Sequence, residues 1–254
     1  MTIDRSAHFA HMAELAYKDG KEAKPNFKKL GYTYHKFIDI DCAQVHVCWN
    51  KTEMVLAFRG TEPGEFSDIK ADLNAFPDRA QVGGWVHNGF QTELEKVWQD
   101  VLKVMGDKLG SRKLYICGHS LGGAMATIAA SRLNPHALYT YGSPRVGTKK
   151  FVKNITCKHY RHVNNNDIVP KVPFAFLGYR HHGELQYINF YGNIRKMTSW
   201  QRFKDGFRGR RAAWKNKQPL HVHGWVYDIH DGIIKDLNVS FTCTKDLHKV
   251  YHLD

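Results

Sequence analysis

The chain lacks the features that mark membrane-spanning, disulfide-stabilised and metal-binding proteins. None of its apolar stretches approaches the roughly 20 residues of a transmembrane helix, and residues 1–10 lack the apolar segment of a secretory signal peptide. The five cysteines form an odd set without a C-x-x-C pair, which argues against a disulfide framework and against a structural zinc site. These absences predict a cytoplasmic protein without a metal, with non-classical secretion left open.

Acidic residues are also scarce relative to basic ones. There are 24 Asp and Glu against 37 Lys and Arg, which gives a formal net charge of +13. The excess is greatest in residues 195–217, where the cations are interleaved with Trp200, Phe203, Phe207 and Trp214. An anionic membrane surface would attract this stretch, whereas nucleic acid is the weaker partner because no nucleic-acid-binding motif accompanies the charge. An ordinary solvated helix face fits the same residues equally well.

What the sequence does contain is a G-x-S-x-G motif, from Gly118 to Gly122. A short apolar run precedes it, and a helix of small residues follows it. This is the strand, turn and helix of a nucleophile elbow, a sharp turn that presents a serine at the end of a strand. We therefore interpret Ser120 as the nucleophile of an acyl-transfer reaction. The alternative is a glycine-rich turn in which the serine has no role.

Hydrophobic periodicity predicts strands that alternate with helices. Helices are predicted over 6–17 and 91–109, and strands over 45–49, 54–58, 114–116, 137–141, 158–163 and around 183–190. Alternation of this kind indicates one α/β domain with a mostly parallel central sheet and helices on both faces.

A serine nucleophile needs a histidine to take its proton and a carboxylate to orient that histidine. In α/β-hydrolases these three groups follow the chain order Ser, Asp, His. Asp167 is the best candidate for the acid, because it lies in a polar loop directly after a predicted strand. An aspartate that merely closes an Asx-turn is the alternative.

Five motifs resemble, in their order along the chain, those of the class 3 (fungal-type) lipases. They are LAFRGT (56–61), HNGF (87–90), GHSLGGA (118–124), YGSPRVG (141–147) and NNDIVP (165–170). The resemblance covers roughly residues 5–215 and implies the α/β-hydrolase fold, with Ser120 as nucleophile and Asp167 as acid. It also implies an oxyanion hole made by the backbone amides of Thr61 and Leu121, with the Thr61 hydroxyl as a further donor.

In that family a lid follows the strand that ends in Phe-Arg-Gly-Thr. Here Phe66, Ile69 and Leu73 lie among charged residues and are the lid candidates, as one apolar side of a short amphipathic flap. The alternative is a surface helix whose apolar side packs on the core.

The histidine of the triad is the least determined residue, since the chain has 16 histidines. The family places Asp-His-Ser before its last helix, and no such tripeptide occurs here. The family's spacing favours His223 or His221, of which we prefer His223, and His230 and His248 are alternatives.

The C-terminal stretch departs from the lipase pattern. Residues 222–237 resemble the C-terminal hairpin of β-type carbonic anhydrases, without the zinc-binding motif of those enzymes. We therefore expect a hydrolase domain over 1–220, and a β-hairpin and helix over 221–254 that pack on the same domain.

The resemblance implies a serine-dependent carboxylic-ester hydrolase that acts on lipid esters at an interface, in the manner of a triacylglycerol lipase. The acyl-enzyme would form on Ser120, and no cofactor is needed. Transfer of the acyl group to another alcohol would use the same residues. The competing hypothesis is a non-catalytic module with an incomplete triad that binds anionic membranes. The oligomeric state is left open.

Overall fold

The computed structural model describes residues 5–61 and 77–215. The helices within these residues are α1 (Ser6–Leu15), α2 (Gly20–Lys29), α3 (Asn88–Lys108), α4 (Leu121–Leu133), α5 (Lys149–Lys153) and α6 (Ser199–Lys215). The strands are β1 (Tyr34–Ile40), β2 (Ala43–Trp49), β3 (Glu53–Phe58), β4 (Pro77–Arg79), β5 (Trp85–His87), β6 (Lys113–His119), β7 (Ala137–Tyr141), β8 (Gly147–Thr148), β9 (Lys158–Asn164), β10 (Tyr179–Arg180) and β11 (Glu184–Ile188).

Seven strands form the central sheet in the order β1-β2-β3-β6-β7-β9-β11. The first three pair antiparallel, as strands joined by short turns do, and the remaining pairs from β3 to β11 are parallel. The parallel strands therefore all end at one edge of the sheet. In sheets of this kind, ligands bind at the carboxyl ends of the strands.

Helices cover both faces of the sheet. In β3, Met54, Leu56 and Phe58 pack with α3 and α4, while Val55 and Ala57 point to the opposite face and pack with α1 and α2. A strand with both faces buried is continuously apolar, which is why residues 54–58 show no polar alternation. The predicted mostly parallel sheet with helices on both faces is confirmed.

Several elements were not predicted. The edge strand β1 alternates exposed and partly buried residues and has polar side chains at many positions, so its pattern is weak. Helix α2 contains Pro25 and depends on a local cap, because the Asp19 side chain accepts hydrogen bonds from the Lys21 and Glu22 backbone N–H groups at 2.7 and 3.0 Å.

A second sheet, of order β10-β8-β5-β4, was also not predicted. Its strands have two or three residues each, too few to show a period.

Among the described residues no helix is long and apolar enough to cross a bilayer. In that same part of the chain, Cys42, Cys48, Cys117 and Cys157 are free thiols. The C-terminal hairpin predicted within 221–254, and with it the predicted domain division, lies outside the described residues.

Candidate active site

Ser120 stands between the end of β6 and the first turn of α4, in the geometry that the motif predicts. Its φ of 54° and ψ of −127° are uncommon for a residue with a side chain. The surrounding backbone holds this conformation, because the Ser120 N–H donates to the Tyr141 carbonyl oxygen at 3.0 Å. The Ser120 carbonyl oxygen accepts from the N–H groups of Gly123 and Ala124 at 3.0 and 3.2 Å.

The Ser120 hydroxyl is fully buried, with 0% of the residue exposed. Among the described residues its Oγ has no hydrogen-bond partner. Leaving a buried hydroxyl unpaired costs about 1–3 kcal/mol, so such a group in a native fold calls for an explanation. Within the described part of the chain, Ser120 thus combines a strained backbone with a hydroxyl that has no partner, at the carboxyl edge of a parallel sheet, as a site poised for reaction does.

The loop after β3 lies directly against this serine. A Cβ added at Gly60 would lie 3.2 Å from Ser120 Cβ, 2.5 Å from the His119 carbonyl oxygen and 2.3 Å from the Tyr17 hydroxyl oxygen. Only glycine allows this approach, which brings the next residue, Thr61, to the serine's edge of the sheet.

Leu121 occupies the first position of α4, where a backbone N–H has no partner within the helix. The structure thus brings together Ser120, Leu121 and Thr61, the residues predicted for the nucleophile and for the two oxyanion donors. Two backbone amides next to a serine can stabilise negative charge that develops on a carbonyl oxygen.

Asp167 lies just beyond β9, at the same edge of the sheet. It is 3% exposed, and its Oδ1 accepts a hydrogen bond from the Val169 N–H at 2.9 Å. The Asp167 N–H donates to the Asn164 carbonyl oxygen at 3.1 Å. The side chain therefore does close an Asx-turn. This does not exclude a role as acid, because a buried carboxylate held in one orientation is what a triad requires.

Strand order sets the separation of Asp167 from Ser120. Only β7 lies between β6, which carries Ser120, and β9, which leads to Asp167. Two interstrand spacings of about 4.8 Å place the two strand ends roughly 10 Å apart, a gap that one bridging imidazole and its hydrogen bonds can span.

The candidates for the histidine that bridges this gap lie outside the described residues; they are His223, His221, His230 and His248. The lid candidates Phe66, Ile69 and Leu73 also lie outside them. Within residues 5–61 and 77–215 no histidine forms a hydrogen bond with Ser120 Oγ. The ring of His119, the residue before the serine, has its Nδ1 2.7 Å from the Tyr17 hydroxyl oxygen.

Two residues that support the site were missed by the sequence reasoning. Tyr17 follows α1 and reaches both His119 and the Gly60 loop, although its sequence position indicates only the end of an amphipathic helix. Asp205 is buried in α6, where its Oδ2 accepts from Asn165 Nδ2 at 2.7 Å and from the Phe190 N–H at 3.0 Å. A lone acid within a basic helix was the available signal.

Cationic side chains lie near the loop that carries Asp167. Burial, and then the nearby Arg210 guanidinium, lower the pKa of Lys171, whereas the Asp167 carboxylate partly offsets this effect. Burial also lowers the pKa of Arg161, on β9, to about 10.

Among the described residues no group of three His, Cys, Asp or Glu side chains could hold a metal ion.

Known proteins are similar to the segment that carries the Ser120 elbow, the Gly60 loop and the loop 165–168 with Asp167, which we call the acid loop. Residues 55–177 match the family described as Lipase (class 3). The matched segment begins in β3 and ends beyond Asp167, so it contains each of the three loops. The central part of this chain is therefore similar to the class 3 lipases.

Two curated relatives align with part of the chain. The Toxin TseL of Vibrio cholerae serotype O1 is 41% identical over 131 residues, which are 45% of this chain and 19% of the toxin. A secreted mono- and diacylglycerol lipase of Fusarium solani is 40% identical over 110 residues, which are 39% of this chain and 33% of that lipase. The chain thus aligns with between a fifth and a third of the length of these two relatives.

The fold likeness extends further along the chain than the sequence likeness. The crystal structure of a lipase from Rhizopus microsporus var. chinensis superimposes with a TM-score of 0.61 and 26% identity, covering 72% of this chain and 74% of that one. The predicted α/β-hydrolase fold is confirmed.

The predicted cytoplasmic location is wrong. The relatives include a secreted lipase and a toxin, and these names point outside the cytoplasm. The prediction rested on the polar composition of residues 1–10 and on the odd number of cysteines, and neither feature determines how a protein leaves a cell.

Proposed function

We propose that the protein is a serine-dependent carboxylic-ester hydrolase that acts on lipid esters. The observation that carries this proposal is the strained, buried Ser120, with the Gly60–Thr61 loop packed against it and Asp167 at the same edge of the sheet. The similarity to a mono- and diacylglycerol lipase supports lipid esters as the substrate class.

The reaction has two halves. Ser120 Oγ attacks the ester carbonyl carbon while a histidine takes the hydroxyl proton, and the backbone amides of Thr61 and Leu121 stabilise the oxyanion. The C–O bond to the alcohol then breaks, and the histidine returns the proton to the leaving alcohol. Water attacks the acyl-enzyme by the same route, which releases the fatty acid and restores Ser120. Asp167 orients the histidine and stabilises its positive charge.

His223 is our first candidate for this histidine, followed by His221, His230 and His248. Replacing each in turn by Ala separates them. The variant that lacks the catalytic base should lose at least about 1,000-fold in turnover, whereas the other three variants should keep near-native rates.

We infer that a lid controls access to the active site, and that a C-terminal segment packs on the hydrolase domain. Phe66, Ile69 and Leu73 would form the apolar side of a flap that opens at a lipid interface. Activity against a partly soluble ester should then rise abruptly at the concentration where the substrate aggregates, and a smooth rise argues against a gating lid.

We infer that residues 221–254 form a hairpin and a helix that pack on the hydrolase domain of residues 1–220.

The first experiment compares the native protein with Ser120→Ala and the matched control Ser131→Ala. Ser131 lies in α4, and its hydroxyl donates to the Ile128 carbonyl oxygen. We expect a fluorophosphonate probe to label the native protein and the control but not Ser120→Ala. Turnover of p-nitrophenyl esters should fall by at least about 10⁴-fold in Ser120→Ala. Labelling that survives in this variant would disprove the proposed nucleophile.

The second candidate function is non-catalytic binding to anionic membranes. It is favoured by the exposed aromatic and basic side chains of α6. This alternative requires that the folded native protein binds anionic vesicles but shows neither probe labelling nor ester turnover.

A further inference from the structure

Helix α6 divides into three stripes along its length. At about 100° per residue, the aromatic side chains share an arc of roughly 60°, a stripe of cations adjoins it, and a buried face lies opposite. The aromatic stripe consists of Trp200, Phe203, Phe207 and Trp214. The basic stripe consists of Lys204, Arg208, Arg211 and Lys215, and the buried face contains Asp205, Gly206 and Gly209.

The buried face fixes the helix to the sheet. A Cβ added at Gly209 would lie 2.9 Å from Asn165 Oδ1 and closer still to the side-chain amide of Asn166, so the acid loop reaches the helix backbone here. On the same face, the Asp205 carboxylate accepts from Asn165 Nδ2 and from the Phe190 N–H. Helix α6 therefore lies across the ends of β9 and β11, at the edge of the sheet that carries Ser120.

The aromatic stripe is open to solvent. Trp200, Phe203, Phe207 and Trp214 are 62%, 58%, 59% and 73% exposed. The rings of Trp200 and Phe203 stack with centroids 5.4 Å apart, which joins them into one apolar surface. Single exposed apolar residues are ordinary, but four on one helical stripe indicate a surface that binds something apolar.

The basic stripe supplies charge of one sign. Lys204, Arg208, Arg211 and Lys215 are all exposed, and within the described part of the chain none of them forms an ion pair. Lys204 lies 5.2 Å from the centre of the Trp200 ring, so the cationic and aromatic stripes are in contact. The acidic residue of the helix, Asp205, is buried on the opposite face.

We propose that the aromatic and basic stripes of α6 together dock the protein on an anionic phospholipid surface. Tryptophan and phenylalanine rings bind at the boundary of headgroups and acyl chains, while neighbouring cations bind lipid phosphates. A phosphate backbone alone would match the basic stripe and leave the aromatic stripe in water. Docking through α6 holds the carboxyl edge of the sheet, with Ser120 and Asp167, at the lipid surface. That consequence rests on the proposed function, whereas the binding itself does not.

The test measures cosedimentation with vesicles of phosphatidylcholine alone and of phosphatidylcholine mixed with phosphatidylglycerol. The protein carries Ser120→Ala, so that hydrolysis cannot alter the vesicles. We expect binding to the mixed vesicles only, and its loss at about 1 M salt, where the Debye length is about 3 Å. Each cation near an anionic surface strengthens partitioning roughly fivefold, so Lys204→Gln/Arg208→Gln/Arg211→Gln should weaken it on the order of 100-fold.

A matched control separates this surface from net charge. The triple variant Lys21→Gln/Lys24→Gln/Lys28→Gln removes the same charge from the exposed side of α2. It should bind as tightly as its parent. Removal of the aromatic stripe by Trp200→Ala/Phe207→Ala should weaken binding at least about tenfold while the charge stays unchanged.

Three results would overturn the docking proposal. They are equal loss of binding in the α2 and α6 charge variants, unchanged binding after loss of the aromatic side chains, and tighter salt-dependent binding to a DNA or RNA duplex than to the vesicles.

A second experiment uses the protein with Ser120 intact. There the α6 variants should keep native turnover of a soluble short-chain ester and lose activity on anionic vesicles. A failure of soluble turnover in the native protein refutes the proposed function and leaves the docking result intact.

Discussion

Replacing Gly60 by alanine tests how closely the loop after β3 must approach Ser120, the proposed nucleophile. The new Cβ would lie 2.5 Å from the His119 carbonyl oxygen, and real Cβ contacts are essentially never shorter than 3.0 Å. The loop must therefore retreat by about 0.5 Å, because that carbonyl belongs to the end of a central strand. The Thr61 amide, one residue on, moves with it.

The expected loss of activity follows from the geometry of an oxyanion hole. Its donors act at 2.7–3.1 Å, so a displacement of about 0.5 Å removes most of one donor's effect, and losing one donor costs about 100- to 1,000-fold in kcat. KM should change little, because the oxyanion develops only in the transition state. Crowding of this kind typically costs about 1–3 kcal/mol of stability, which lowers the Tm by a few degrees for a chain of this size.

The assay is steady-state turnover of a soluble p-nitrophenyl ester, with thermal unfolding of the same samples. Gly106→Ala is the control, since a Cβ added there meets nothing within 4 Å and the residue lies in α3. It should keep native kcat and gain about 0.5–1 kcal/mol of stability. A folded Gly60→Ala protein whose kcat stays within about twofold of native would refute the placement of Thr61 in the oxyanion hole.

Three further predictions concern the acid loop, the Asp205 carboxylate and the paired histidines His35 and His46. Asp167→Asn should fold normally and lose kcat by about 10⁴-fold, since an amide cannot stabilise the histidine cation; native kcat in a soluble-ester assay would exclude Asp167 as the acid. Asp205→Ala leaves the Asn165 and Phe190 donors without their acceptor, so we expect urea unfolding to show a loss of about 1–3 kcal/mol for each donor, and kcat to fall because the loop is loosened; unfolding and kcat like those of the exposed control Asp107→Ala would contradict this. Burial lowers the pKa of His35 to about 4, and burial with the adjoining His35 ring lowers that of His46 to about 3, against an ordinary 6.5. The unfolded chain binds more protons between these values, so the free energy of unfolding should rise from pH 4 to 6.5 and then level off, with a shallower rise in His35→Gln; equal slopes in a series of urea titrations would count against these burials.

The alternation of apolar runs with helical periods was sufficient to predict the α/β sheet. Residues 54–58 are apolar at each position because both faces of β3 are covered. Such a run predicts a buried strand even when the neighbouring strands are not known. The G-x-S-x-G motif likewise predicted the turn at Ser120, because sharp strand-to-helix turns require particular small residues at particular positions. Strand β1 and the two- and three-residue strands of the second sheet were not predicted. They form because they pair with neighbouring strands, and their own residues show no clear alternation.

What the sequence by itself determined is therefore the layered fold, the strained serine and the choice of Asp167 as a residue beyond a strand. Only the tertiary structure decided that Gly60 touches Ser120, that the Tyr17 hydroxyl reaches His119, and that α6 rests on the acid loop. These contacts join residues between 40 and 102 positions apart, and no local period or motif encodes them. The same holds for the two outer stripes of α6. The sequence shows that these residues are aromatic and basic. Their exposure, however, depends on which face of the helix packs on the sheet, and the Asp205 carboxylate and the nearby glycines determine that face.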